Sequence, residues 1–129
     1  NVNRGWRFAC GDYVGIVNSD TYLVRGDLRD LCMPGRITSP VVENQPMSWL
    51  SGAFWVTPKE LAVSLGMLRE DLYTLYHSDI EYKDRVMGVF TQVPSVVIWH
   101  DAAQTCRSLE ALRKGELKLP EGASGPCAG

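Results

Sequence analysis

Apolar positions recur along this chain at two spacings, in short β-prone runs and at helical intervals of three and four. The runs at residues 6–10, 13–17 and 22–24 are separated by the turn formers Gly11-Asp12 and Asn18-Ser19-Asp20, and they predict strands. Residues 27–32, DLRDLC, place Leu28, Leu31 and Cys32 at helical spacing and predict one or two helical turns. Residues 33–46 contain Pro34-Gly35, Pro40 and Pro46. The expectation there is an irregular connection, long enough to be a functional loop. A strongly apolar stretch follows at 47–56, MSWLSGAFWV, with a short strand expected at 53–56.

Residues 57–76, TPKELAVSLGMLREDLYTLY, change to the helical period. Thr57 is placed to cap a first helix, Pro58 suits the first helical position, and Glu60 completes a capping box. Leu61, Ala62 and Leu65 lie on one face, and Gly66 supplies the left-handed residue that ends the helix. Leu68, Leu72, Leu75 and Tyr76 give a second helix its own apolar face. A helix-turn-helix over 57–77 is therefore expected.

Residues 78–84 are polar, and two β-prone runs at 85–91 and 95–99 flank Gln92-Val93-Pro94, predicting a β-hairpin over 85–99. Asp101 caps a last helix over 101–114, with Gln104 at the box position and Ala102, Cys106, Leu109 and Leu112 as its stripe. Residues 116–129 form a Gly/Pro-containing tail. The order strand, helix, turn, helix and two strands, over about 53–99, resembles a winged helix with 85–99 as the wing. The expected fold is α+β, a single domain over 1–115. It carries a helix-turn-helix, winged-helix-like core and additional short N-terminal β-strands.

At 129 residues the chain suits one domain, and 45% apolar with 22% charged residues is ordinary for a soluble globular protein. No apolar run approaches the ~20 residues of a membrane span. Because the sequence starts at Asn1 rather than Met, the lack of a signal sequence does not decide the compartment. Net charge is −2, and residues 57–100 hold four basic against six acidic side chains. A nucleic-acid reading element normally shows the reverse balance.

Cys10, Cys32, Cys106 and Cys127 lack metal-knuckle spacing, and only His77 and His100 could assist them, so neither a metal site nor a cofactor is expected. Cys10, Cys32 and Cys106 are expected to be small buried side chains with Cys127 exposed in the tail. A cytoplasmic location is favoured on that basis. Two disulfides would instead imply secretion.

Three chemistries compete. A DNA-reading second helix would present Arg69, Thr74 and His77, with further basic contacts from Arg4, Arg7, Arg25, Arg29 and Arg36. Glu70 and Asp71 beside Arg69 oppose this by repelling phosphates at the helix N-terminus. Protein docking fits the charge better, with Trp49, Trp55, Tyr73 and Tyr76 as aromatic anchors. A thiol hydrolase would need Cys10 activated by His100, with Asp101 or Asp12 orienting the imidazole. The RGD tripeptide at 25–27 resembles an integrin-binding loop but follows an expected strand. The expected function is a non-enzymatic regulatory or adaptor module for a protein partner. A DNA-binding regulator and a small cysteine-dependent hydrolase are the alternatives, no membrane is involved, and a homodimer stays open.

Overall fold

A computed structural model describes residues 2–69, 71, 78–101, 110–111 and 113–115. Its elements run α1 (Val2–Phe8), β1 (Tyr13–Val17), β2 (Thr21–Arg25), β3 (Ile37–Val42), β4 (Phe54–Pro58), α2 (Lys59–Leu65), α3 (Ser78–Val86) and β5 (Phe90–His100). A 3₁₀ turn at Leu28–Leu31 separates β2 from β3. The five strands form one mixed sheet in the order β1-β4-β3-β5-β2, curled into a half-barrel. Only β3 and β5 run parallel.

The sheet is lined on both faces, as its period-two pattern requires. Phe54 and Val56 of β4 join Val42, Val96, Ile98 and Leu31 in one cluster. Trp55, between them in sequence, joins Ile37, Leu50, Leu68, Tyr82 and Val86 in the other. The helices supply the second cluster with Val2, Leu61, Leu65 and the α3 residues Tyr82 and Val86. The first cluster takes its residues from strands, the 3₁₀ turn and Ala53. Curl of the sheet buries that face against itself.

A helix-turn-helix core is not what these residues build. Thr57 and Pro58 end β4 rather than start a helix, because the Tyr13↔Pro58 and Val14↔Thr57 pairs hold them in the ladder. Thr57 is buried, its hydroxyl bonds the Pro58 carbonyl, and the helix start carries no side-chain cap. The capping box is therefore not formed. Gly66 does end α2 with φ +76°. After it, Met67 to Arg69 are non-helical, and Leu68 is held by Asn3, whose amide donates to the Leu68 carbonyl and accepts from its N–H. Residues 72–77 of the expected second helix lie outside the described residues.

The winged-helix topology fails as well. Residues 78–84, expected to be a turn, belong to α3. The expected hairpin over 85–99 is instead the end of α3, a short 3₁₀ turn and the single long strand β5. Pro94 does not break that strand. The β3–β5 register shifts between Pro40↔Val93 and Val41↔Val97, so both prolines sit where the ladder is irregular and needs no N–H. Within residues 33–46, expected to be an irregular connection, 37–42 form the central strand β3 with Pro40 inside it, and the flanks at 33–36 and 43–46 are irregular. At the N-terminus, residues 2–8 are helical rather than β, with Val2 reaching the second cluster. Within the expected last helix, 110–111 and 113–114 are helical; residues 102–109 lie outside the described set.

Topology leaves one unusual connection. β1 and β2 follow each other through Asn18-Ser19-Asp20 yet occupy opposite edges of the sheet. A link that short spans roughly 10–14 Å. The curl therefore brings the two edges together at this end and leaves them unpaired along their length.

Candidate docking edge and adjoining cleft

β2 is the exposed edge. Antiparallel pairing to β5 sets Tyr22 opposite Trp99 and Leu23 opposite Ile98. Tyr22 is 60% exposed, Leu23 51% and Trp99 45%, with Val24 also exposed. Since the Asp101 N–H donates to the Asp20 carbonyl, Asp20 and Tyr22 turn their backbone groups toward β5, and Thr21 and Leu23 turn theirs outward. A bulge between Leu23 and Arg25 ends the regular edge. Beyond it, Gly26 takes φ +101°, and a Cβ there would lie 2.4 Å from the Ser95 carbonyl oxygen.

Asp27 caps the 3₁₀ turn through the Arg29 N–H and pairs with the Arg29 guanidinium at 2.6 Å. Side-chain hydrogen bonds from Arg29 hold the Asp27 carboxyl down at about 2, far below the ordinary carboxylate range. The tripeptide at 25–27 thus has its glycine pressed on β5 and its aspartate occupied.

A cleft of about 460 Å³ opens at the end of the sheet where β1 meets β2. Trp55 forms part of its wall, and Trp49 lies on its rim with Lys83 Nζ 5.2 Å from the ring centroid. His100 also lines it. Asn44 fixes that residue by donating to its carbonyl (2.6 Å) and accepting from its N–H (3.1 Å). His100 Nε2 lies 3.2 Å from Asp20 Oδ1. Among the described residues the lining contains no aspartate or glutamate.

The expected site residues disperse. Cys10 lines a different cleft of about 610 Å³, with Asp12, Lys59 and Glu60, beside the opposite end of β1. The Lys59 ammonium donates to the Ala9 carbonyl there. Cys10 and His100 are not brought together. Asp101 contributes its N–H to Asp20, one residue beyond β5. Cys10 and Cys32 are both exposed free thiols, contrary to the expectation that they are buried; Cys106 and Cys127 lie outside the described residues.

Of the aromatic candidates, Trp49 is 46% exposed and Trp55 only 2%. Tyr73 and Tyr76, like Thr74 and His77, fall outside the described residues. Arg69 is paired with Asp71 through two bonds of 2.9 and 2.7 Å. Among the described residues no group of three His, Cys, Asp or Glu side chains is placed to hold a metal ion. None of the described helices is long and apolar enough to cross a membrane.

Sequence reasoning missed the Tyr22–Trp99 pair because pairing partners so distant in sequence leave no local signal. The β-prone run at 22–24 was the available hint. Comparisons with protein-family models, curated proteins and solved structures find no match to this chain.

Proposed function

We propose that this chain is a non-enzymatic adaptor module that takes an extended segment of a partner protein along β2. One observation carries the proposal. β2 is an edge strand with exposed apolar side chains, Tyr22 beside Trp99 on one face and Leu23 on the other, with Val24 also exposed and outward-turned backbone groups at Thr21 and Leu23. Soluble proteins usually blunt such an edge with charge or cover it. Strand addition uses both features, backbone groups for affinity and alternate side chains for selectivity.

Arginine usage favours protein over DNA. Arg29 is paired with Asp27, Arg69 with Asp71, and Arg85 with Glu81, while Arg36 binds Thr91 and the Phe90 carbonyl. Guanidinium groups engaged in this way are poor phosphate ligands unless their acids are displaced.

The test places a photoreactive benzophenone side chain at position 23 and, as a control, at the exposed position 63 on α2. Irradiation in extract should yield one dominant adduct from position 23 alone. Leu23→Pro removes an outward N–H without touching the β5 ladder and should abolish that adduct when added to a position-22 probe. Adducts of equal yield at both positions, or capture that survives Leu23→Pro, would refute edge docking.

A further inference from the structure

We infer that β2, when no partner segment lies on it, pairs with β2 of a second copy of this chain. The inference rests on the reading of β2 as a strand-accepting edge and adds what occupies that edge in the chain alone. Residues 21–24 carry no charge, and neither a proline nor a lysine among them guards the edge. Regular pairing to β5 ends at the bulge between Leu23 and Arg25, so the outward backbone groups of the regular edge belong to Thr21 and Leu23.

Those two residues fit one another across a twofold axis. An antiparallel pair centred on Tyr22 sets Thr21 of each copy opposite Leu23 of the other, and each such pair exchanges two hydrogen bonds. An axis on Thr21 would instead put Leu23 opposite Ser19 in the link, and an axis on Leu23 would put Thr21 opposite Arg25 beyond the bulge. Of the registers that set outward residues against outward residues, the one centred on Tyr22 keeps every hydrogen bond on the regular edge. It also brings the two Tyr22 side chains together on one face, each flanked by its own Trp99, as a row of aromatic rings across the joined sheets. Tyr22, Leu23, Val24 and Trp99 are each about half exposed. Covering what they expose buries on the order of 400 Å² per copy, half of the ~800 Å² that a stable interface takes from each partner. That area commits the pairing to a weak, reversible dimer, which a longer partner segment displaces.

Sedimentation of the purified chain should show its apparent mass double between about 10 µM and about 1 mM, the range of a small interface. Leu23→Pro removes the Leu23 donor of each copy and should keep the chain monomeric throughout. The register is read on a background in which Cys10, Cys32, Cys106 and Cys127 are replaced by serine. Tyr22→Cys there sets two thiols on Cα atoms about 4.5 Å apart, and copper phenanthroline should link them. Val24→Cys leaves its thiols about 13 Å apart along the strands and should not link. A chain that stays monomeric at about 1 mM, a dimer that survives Leu23→Pro, or equal linking at positions 22 and 24 would overturn self-pairing. Partner docking is tested separately, because capture in dilute extract lies below the range of self-pairing. A foreign adduct from a chain that stays monomeric refutes self-pairing alone, and a dimer without such an adduct refutes docking alone.

Discussion

Asn44 brackets His100, its side-chain amide donating to the backbone carbonyl and its oxygen accepting the backbone N–H. One side chain thus supplies the hydrogen bonds that a further strand would make at the end of β5. Asn3 does the same for Leu68 at the start of the segment that leads away from α2. Two ends of the fold that no strand covers are closed by asparagines. Asn44→Ala should therefore leave two partly buried backbone groups to water and cost about 1–3 kcal/mol. Asn44→Asp should fall between, because it keeps the acceptor and loses the donor. Urea denaturation of the three proteins checks the order.

Two glycines of positive φ separate strain from collision. Gly35 has φ +69° with open space where a side chain would begin, whereas a Cβ on Gly26 meets the Ser95 carbonyl oxygen at 2.4 Å. Gly35→Ala should cost only the left-handed backbone penalty, about 1–2 kcal/mol. Gly26→Ala must also push β2 from β5 and should cost more than about 3 kcal/mol. Equal melting temperatures for the two variants would show that β2 does not press on β5 at this point.

The Asp27 carboxyl, held at about 2 by Arg29, gives a pH signature with a definite sign. Its folded-state value lies below its ordinary one of about 3.9. Whatever the contact contributes is present above the ordinary value and fades as pH falls through about 2. A carbon-detected NMR titration should find this midpoint well below the ordinary carboxylate range. Arg29→Met should return it to the ordinary carboxylate range.

Tyr82 behaves oppositely. Burial pushes its phenol up to about 12, partly offset by the nearby Arg85 charge, and its hydroxyl has no partner among the described residues. The fold favours the neutral phenol, so its contribution is full below the ordinary value of about 10 and is lost as pH rises toward about 12. Tyr82→Phe should remove that alkaline loss. At neutral pH it should be neutral or stabilising by about 1 kcal/mol, since an unsatisfied buried hydroxyl disappears and the Trp55 ring contact at 5.9 Å stays. Chemical denaturation at pH 7 and near pH 11 separates the two effects.

β1 and β2 are legible in the sequence because their β-prone runs sit between strong turn formers. The 3₁₀ turn is legible through the helical spacing within DLRDLC, although its Asp27 cap appears only in the structure, and the end of α2 is legible through Gly66, whose φ is positive. What misleads is tertiary. Thr57-Pro58 has the local chemistry of a helix start, but β1 captures both residues before the helix begins. Pro40 and Pro94 look like breaks, yet each meets the other's irregularity across the β3–β5 ladder. The Tyr22–Trp99 pair and the Trp55 cleft arise from pairings between remote segments, and neither leaves a periodic trace.

The short link between the two edge strands has a kinetic consequence. Neither β1 nor β2 pairs with its neighbour in sequence, and the sole pair of consecutive strands among the five, β3 with β4, is joined by a long connection rather than a tight turn. The most local rung is Thr38 with Val56, and β2 waits for Phe90–His100. A chain emerging N-terminus first therefore exposes Tyr22, Leu23 and Val24 until β5 has been made. Folding dominated by such distant contacts is slow, and unpaired edges invite association while it lasts. The strand proposed for docking in the finished domain is thus among the segments that wait longest for a pairing partner during synthesis.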